Sequence, residues 1–200
     1  MDWLYYENLY GGNGEKVVCG VDEAGRGPLA GRVYAAAVIM PQELIIDGVN
    51  DSKKLTEKKR EILFEKITEK ALSYSIAWAD EKEIDEINIL QATYLAMKRA
   101  VEGLKIKPDM ILVDGNRLPD FGIPAECIVK GDSLSHSIAC ASILAKVSRD
   151  RYICQEAEKY PEYSFEKHKG YGTKVHIEAL KKYGPSPIHR KTFLKKILGK

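Results

Sequence analysis

The chain predicts an α/β fold, and three observations carry that expectation. Short β-branched apolar runs, too brief for helices, alternate along the sequence with longer stretches of helical periodicity. One run, Pro108–Asp114 (PDMILVD), is apolar without polar alternation, as suits a strand covered on both faces. Two runs end in carboxylates, Asp22 after VVCGV and Asp114 after MILV, and sites of open α/β sheets gather at strand ends.

Taken in order, Lys16–Asp22 and Arg32–Met40 read as consecutive antiparallel strands joined through a Gly/Pro-rich turn. Thr56 is a good N-cap for a charge-rich helix reaching about Leu72. Ser73–Ala79 alternates through Tyr74, Ile76 and Trp78, which predicts a third strand. Ile84, Ile87, Leu90, Tyr94, Met97 and Val101 step by threes and fours, placing one apolar stripe on a long helix. Pro108–Asp114 is the fourth strand and Ala125–Lys130 a short fifth. Ser133 to about Lys159 is a second long helix, and the small residues of its first half (SIACASILAKVS) permit close contact with a sheet. The expected order is β-β-α-β-α-β-β-α, followed by short C-terminal helices.

Composition excludes several classes of protein. With 44% hydrophobic and 30% charged residues in 200, the chain is neither a disordered tail nor a membrane protein. Its longest apolar run, Val33 to Met40, is far short of the ~20 residues of a membrane-spanning helix. The N-terminus carries acids and tyrosines where a secretory signal would carry a basic and then an apolar stretch. Cys19, Cys127, Cys140 and Cys154 are scattered, which suits reduced thiols and a cytoplasmic location, so the sequon at Asn50-Asp51-Ser52 is disregarded. The near-zero net charge conceals a split. Residues 151–200 hold 12 Lys and Arg against 5 Asp and Glu, whereas residues 1–150 hold 19 against 24. That division suits a polyanion site beside a site built from carboxylates.

The Gly-rich segment after Asp22 invites two nucleotide-loop readings, and both fail. Gly20 to Gly25 has P-loop spacing, but Arg26 and Gly27 stand where Lys and Ser or Thr are required. Gly25, Gly27 and Gly31 are one residue too widely spaced for a dinucleotide loop, and no helix follows. What remains is a strand ending in two adjacent acids, then a turn bearing one arginine, whose exposed N–H groups suit phosphate or hydroxyl oxygens. Adjacent acids on a regular strand face opposite ways, so Asp22 and Glu23 are expected to share a site only if the strand ends or bends between them. Asp114 in VDGN and Asp132 in VKGDS also flank glycines at the edges of apolar elements. His168, His176 and His189 lack zinc spacing and nearby thiols. An all-oxygen site would select a hard cation such as Mg²⁺ or Mn²⁺. Pattern alone does not separate these four acids from the other 25 of the chain's 29.

A resemblance does. VDEAGRGPLAG, NDSKKL, VDGN, KGDS, SIACASILAKVSRD and HKGYGTKVH occur in the order in which they run through the bacterial ribonuclease HII family, from about Val17 to Arg190. The related ribonuclease HIII family is the poorer fit, because it lacks the GRG turn and carries an extra N-terminal domain. The resemblance implies a ribonuclease H-like mixed five-stranded sheet flanked by helices, with a small helical C-terminal part. Residues 1–160 would form the catalytic domain, and residues 161–200 a short basic segment packed on it. It implies four catalytic, metal-holding acids at Asp22, Glu23, Asp114 and Asp132, with two Mg²⁺ or Mn²⁺ ions in the active complex. Gly25, Arg26 and Gly27 would contact the ribose 2′-hydroxyl, and Tyr171 would pack on that ribose. Asn50, Ser52 and Lys53 would grip phosphates, with Lys146, His168, Lys169, Lys174 and Arg190 as further candidates. The implied substrates are RNA–DNA hybrids and duplex DNA holding single ribonucleotides, cut 5′ of the ribonucleotide to leave 3′-hydroxyl and 5′-phosphate ends. A monomer is expected. Arg32, where many members have proline, is the one clear departure and bears on local backbone rigidity. A catalytically silent nucleic-acid-binding protein and a small-molecule phosphatase are the competing readings; the complete acid set opposes the first, and the basic C-terminal segment opposes the second.

Overall fold

A computed structural model describes residues 2–12 and 15–199. Its centre is a five-stranded mixed sheet in the order β3-β2-β1-β4-β5. Strand β1 (Val18–Ala24) pairs antiparallel with β2 (Val33–Ile39) and parallel with β4 (Met110–Asp114). Strands β3 (Ser73–Ala79) and β5 (Ala125–Ile128) complete the two edges, antiparallel to β2 and parallel to β4 respectively. The strand and helix order follows the periodicities, with β3 at its expected bounds and no other predicted boundary displaced by more than three residues.

Two layers of helix cover the sheet. On one face lies α3 (Glu81–Glu102), opened by a capping box in which the Asp80 carboxylate accepts from the Glu83 N–H and the Glu83 carboxylate accepts from the Asp80 N–H. Asn88 breaks its regularity at φ 66°, and its side chain recaps the helix through the Leu90 and Gln91 N–H groups. The residues of β1 and β2 that face α3 (Cys19, Val21, Val33, Ala35, Ala37) form one core with Ala92, Ala96 and Ala100. On the other face, α2 (Glu57–Lys70), capped by Thr56 as its sequence predicts, packs beside α4 (His136–Lys159). Here the small residues of α4 fulfil their expected part. The helix lies so close to β1 that a Cβ on Gly20 would fall 2.2 Å from the Ser137 carbonyl carbon.

Two features depart from the sequence pattern. A short helix α1 (Tyr5–Gly11) precedes β1; its aromatic-rich sequence shows no clear apolar stripe, and it is held by Glu7, whose carboxylate accepts from Ser135 and Ser137 at the start of α4. On β3, Tyr74 and Trp78 alternate as expected but lie largely exposed, because β3 is an edge strand that the helices cover only in part. Trp78 finds its partners laterally, with the Arg32 guanidinium 5.0 Å from its ring centroid and Tyr34 at 5.6 Å. Arg32 thus replaces backbone rigidity at the start of β2 with a stack that also includes Tyr152 at 4.6 Å.

After α4 come α5 (Phe165–His168), α6 (Lys174–Tyr183) and α7 (Lys191–Leu198). Their apolar side chains Phe165, Leu180 and Leu194 share a core with Leu29, Ala30 and Ile153, so this segment is packed onto the turn between β1 and β2. Within it the three histidines that sequence spacing keeps apart are brought together, and none of their ring nitrogens is left over for a metal. His189 Nδ1 accepts from Ser186 N–H, which leaves its Nε2–H to donate to His176 Nε2; His176 Nδ1–H then donates to the Tyr171 carbonyl. His168 donates to the Tyr163 carbonyl and accepts from Gly170 N–H.

Two predictions follow from this packing. Gly20→Ala is expected to lower unfolding free energy in urea by about 1–3 kcal/mol or more, because the obstructing atoms are backbone and cannot rotate away. The second concerns buried imidazoles. Burial pushes His189 down to about 3 and His136 down to about 4, so both stay neutral where an unfolded imidazole, with a pKa of about 6.5, takes up a proton. Their contribution to stability is therefore complete above about pH 6.5 and is lost as the pH falls toward 4 and 3. Long-range ¹H–¹⁵N NMR at pH 5.5 should find both rings neutral, each with one ring N–H; an imidazolium at either position contradicts the assignment.

Candidate active site

The parallel register that pairs Val21 with Val113 carries the next residues, Asp22 and Asp114, abreast, Asp114 as the last residue of β4 and Asp22 two residues before β1 ends. Strand β5 leads into a tight reversal with Lys130 in the left-handed region at φ 60°, followed by a 3-10 turn over Gly131–Ser133 that turns Asp132 back toward them. A side chain at Gly131 would meet Ile138 at 2.6 Å and Asp114 at 3.4 Å, so glycine is what allows this approach. One carboxylate oxygen from each of Asp22, Asp114 and Asp132 lies within 4.8 Å of the others, and Asp132 N–H donates to Asp114 Oδ1 at 3.4 Å. Among the described residues this is the one grouping of metal-ligating side chains.

Glu23 stands apart from the three. Strand β1 does not end between Asp22 and Glu23 but runs on to Ala24. The two acids therefore face opposite sides of the sheet. Asp114 serves both, because the sheet ends beside it. On the Glu23 side lies a cleft of about 340 Å³ whose lining includes Glu23, Arg26, Asp114, Asn116 and Arg117.

The electrostatics are those of acids forced together. Burial, then the charges of Glu23 and Asp114, raise Asp22 well above the usual carboxylate range. Burial raises Glu23 as well, against the pull of Arg26, whose guanidinium is 3.6 Å away. Burial, Asp114 and Asp51 raise Asp132. Partial relief comes from Lys53, whose Nζ is 3.9 Å from Asp132, and from the nearby Ser142 side chain, which acts to lower Asp22. A concave set of desolvated oxygen donors with this much unrelieved repulsion fits hard divalent cations and suits no softer metal.

The expected substrate residues divide on exposure. Arg26, Gly27, Lys53, Tyr171 and Lys174 present surface, and Asn50 is half-buried with its carbonyl accepting from Asp51 N–H. Gly25 is buried beneath them at φ 96°, with Arg149 against it. Tyr171 lies over the Arg149 guanidinium at 5.6 Å, and a Cβ on Gly27 would stand 3.5 Å from its ring. Burial corrects three of the expected phosphate contacts, Arg190, His168 and Ser52, while Lys146 and Lys169 are half-buried and ion-paired. Arg190 is fully buried, with its donors on backbone carbonyls; burial and the neighbouring Arg149 lower it to about 9. His168 is buried in the histidine cluster. Ser52 is buried against Ser142 at 2.8 Å and so supports Asp22 from behind. Lys146 is paired with Asp150 at 2.8 Å, and Lys169 is held by Cys154 and Glu57. Ordinary Lys, Arg and His positions in sequence carry no sign of whether the charge points to solvent or into the protein.

Sequence reasoning also overlooked residues of this site. Ser142, inside a small-residue run that reads as packing, reaches Asp22. Arg149 and Asp150 join Arg60 and Lys146 in a buried ion cluster beneath the Gly-rich turn. The adjacent Arg149 and Asp150, where the small-residue half of α4 gives way to its charged half, were the available signal.

Comparison with known proteins agrees with this geometry. The profile of the ribonuclease HII family matches residues 19–196. The ribonuclease HII of Caldicellulosiruptor bescii is 65% identical over 185 residues, covering 92% of this chain and 90% of its own. That of Idiomarina loihiensis is 59% identical over 177 residues, covering 88% and 95%. Among solved structures, the ribonuclease H2 of Pyrococcus horikoshii OT3 has a TM-score of 0.75 at 32% identity, over 90% of this chain and 96% of its own. The chain belongs to the ribonuclease HII family and is accordingly a ribonuclease H, an enzyme acting on RNA–DNA hybrids.

Proposed function

We propose that the protein cleaves the strand on the 5′ side of a ribonucleotide, both in RNA–DNA hybrids and where a single ribonucleotide is embedded in duplex DNA. The products are a 3′-hydroxyl and a 5′-phosphate. The observation that carries this reading is the meeting of the Asp22–Asp114–Asp132 oxygens near the end of the strand that leads into a Gly-rich turn, whose exposed Arg26 and Gly27 are faced by Tyr171. Asp22, Asp114 and Asp132, with Glu23 across the sheet end, are the residues that would hold two Mg²⁺ or Mn²⁺ ions. When bound, such ions supply an activated water and stabilise the leaving oxygen of an in-line displacement.

The chain's own residues do the remaining work. Arg26 and Gly27 meet the sugar through backbone groups, and the 2′-hydroxyl is the feature that separates RNA from DNA. Tyr171 packs against the same sugar from the other side. Lys53, Asn50 and Lys174 bind backbone phosphate without reading sequence, so affinity should fall as salt rises. The unit is a monomer acting in the cytoplasm, with residues 161–200 serving as a substrate-side segment of the domain formed by residues 1–160. No helix among the described residues is long and apolar enough to cross a membrane.

The test is a DNA duplex holding one ribonucleotide, incubated with the protein in Mg²⁺ or in EDTA. Cleavage 5′ of the ribonucleotide in Mg²⁺ alone is the expected result; binding without cleavage in Mg²⁺ rules the reading out. Asp22→Asn keeps the shape and removes one buried charge. It should reduce cleavage by more than about a hundredfold, beyond what loss of an outer-shell metal partner costs. In EDTA the same variant should melt above the parent, by about 2–4 °C for each kcal/mol of repulsion removed. The sign follows from the raised Asp22 carboxyl, which disfavours the folded state at neutral pH when ionised. Added Mg²⁺ should raise the parent's melting temperature more than the variant's.

A further inference from the structure

Arg190 is fully buried, and no carboxylate lies within salt-bridge distance of it among the described residues. Its charge is met by carbonyls instead. Nη2 donates to Gly25 O at 2.6 Å, Nη1 to Arg26 O at 2.8 Å and to Pro28 O at 2.9 Å, and Nε to Gly31 O at 2.8 Å. The main chain adds two bonds, Arg190 N–H to Leu29 O and Gly31 N–H to Ile188 O, both at 2.9 Å. Burying a guanidinium without an acid is costly, and here the planar fork of donors is matched by four converging acceptors.

This convergence has a stereochemical consequence. The peptide bonds are trans, so the C=O and N–H of each peptide point in opposite directions. With the Gly25 and Arg26 carbonyls drawn inward onto Arg190, the N–H groups of Arg26 and Gly27 are turned outward, onto the exposed side of the turn. Neither N–H donates to a protein acceptor among the described residues. The Pro28 peptide obeys the same rule: its carbonyl meets Arg190, and the following N–H of Leu29 donates to Gly170 O at 2.8 Å, which ties the turn to the segment carrying Tyr171.

We infer that Arg190 is the positioning residue of the Gly25–Gly31 turn, gathering its carbonyls so that the Arg26 and Gly27 N–H groups stand together as a donor pair for the ribose 2′-oxygen. The inference rests on the proposed role of the turn in meeting the ribose and adds what sets its geometry. Arg190 itself touches no substrate. A lysine there keeps the charge but offers a point ammonium in place of a fork, and cannot hold four carbonyls in one plane.

The experiment compares two duplexes identical except for one 2′-hydroxyl, with Ca²⁺ replacing Mg²⁺ to prevent turnover and binding read by fluorescence anisotropy. The parent should prefer the ribonucleotide duplex by about tenfold for each amide contact. Arg190→Lys should lose that preference while binding the all-DNA duplex to within about twofold of the parent, because phosphate contacts are made elsewhere. Retention of the preference overturns the inference, and so does an equal weakening toward both duplexes, which marks a general defect. A parent that shows no preference and no cleavage removes the ribose-contacting role of the turn itself. Should Arg190→Lys fail to fold, amide hydrogen exchange of the parent decides. The Arg26 and Gly27 amides should exchange rapidly in the free protein and be slowed by the ribonucleotide duplex but not by the all-DNA one. Protection of both in the free protein, or equal protection by both duplexes, overturns it.

Discussion

The parallel pairing of β1 with β4 at the middle of the sheet brings carboxylates together that would repel one another in any looser arrangement. Once Val21 lies beside Val113, Asp22 and Asp114 have no choice but to be neighbours. The pairing is itself held from both faces, by the alanine-rich side of α3 and by an α4 that approaches β1 closely enough to require Gly20. Rigid backbone thus supplies what the side chains oppose. The unfavourable electrostatics of the site are borne by the packing of the core, a common trade where function needs charge concentrated out of water.

The C-terminal segment is the second support, and its charge has a different meaning from the one its composition suggests. An excess of Lys and Arg over residues 151–200 reads as a surface for polyanions. Arg190 is spent on the carbonyls of the Gly-rich turn, Arg151 on Glu61 and Glu65, and Lys169 on Glu57 and Cys154. Lys174 is among those that face solvent, with Glu178 the nearest acid at 3.9 Å. The histidine relay runs through the same segment to the Tyr171 carbonyl, so the tyrosine and the turn are positioned by two networks that meet at His189 and Arg190, between α6 and α7.

Much of the fold was legible in the sequence because each element carries its own period. The threes and fours of α3, the unbroken run of β4 and the Thr56 cap of α2 are local signals, and local chemistry realises them. Helix α1 was not legible, because what holds it is Glu7 on the distant start of α4. The kink at Asn88 was equally hidden, since a helix stripe continues across it. In the site, the four acids became distinguishable through the order of six motifs, whereas the roles of Ser52, Ser142, Arg149 and Arg190 depend on partners between 20 and 165 residues away.

The sequence by itself determined the α/β class, the order of the elements after α1 and the family, because periodicity, turn chemistry and motif order are properties of neighbours along the chain. Only the tertiary structure decided that Asp114 stands between Asp22 and Glu23 while β1 continues to Ala24, that three separated histidines leave no nitrogen for a metal, and that Arg190 faces inward. Each of those outcomes is fixed by strand register and by burial, and the direction of a charged side chain is set by which partners surround it in space.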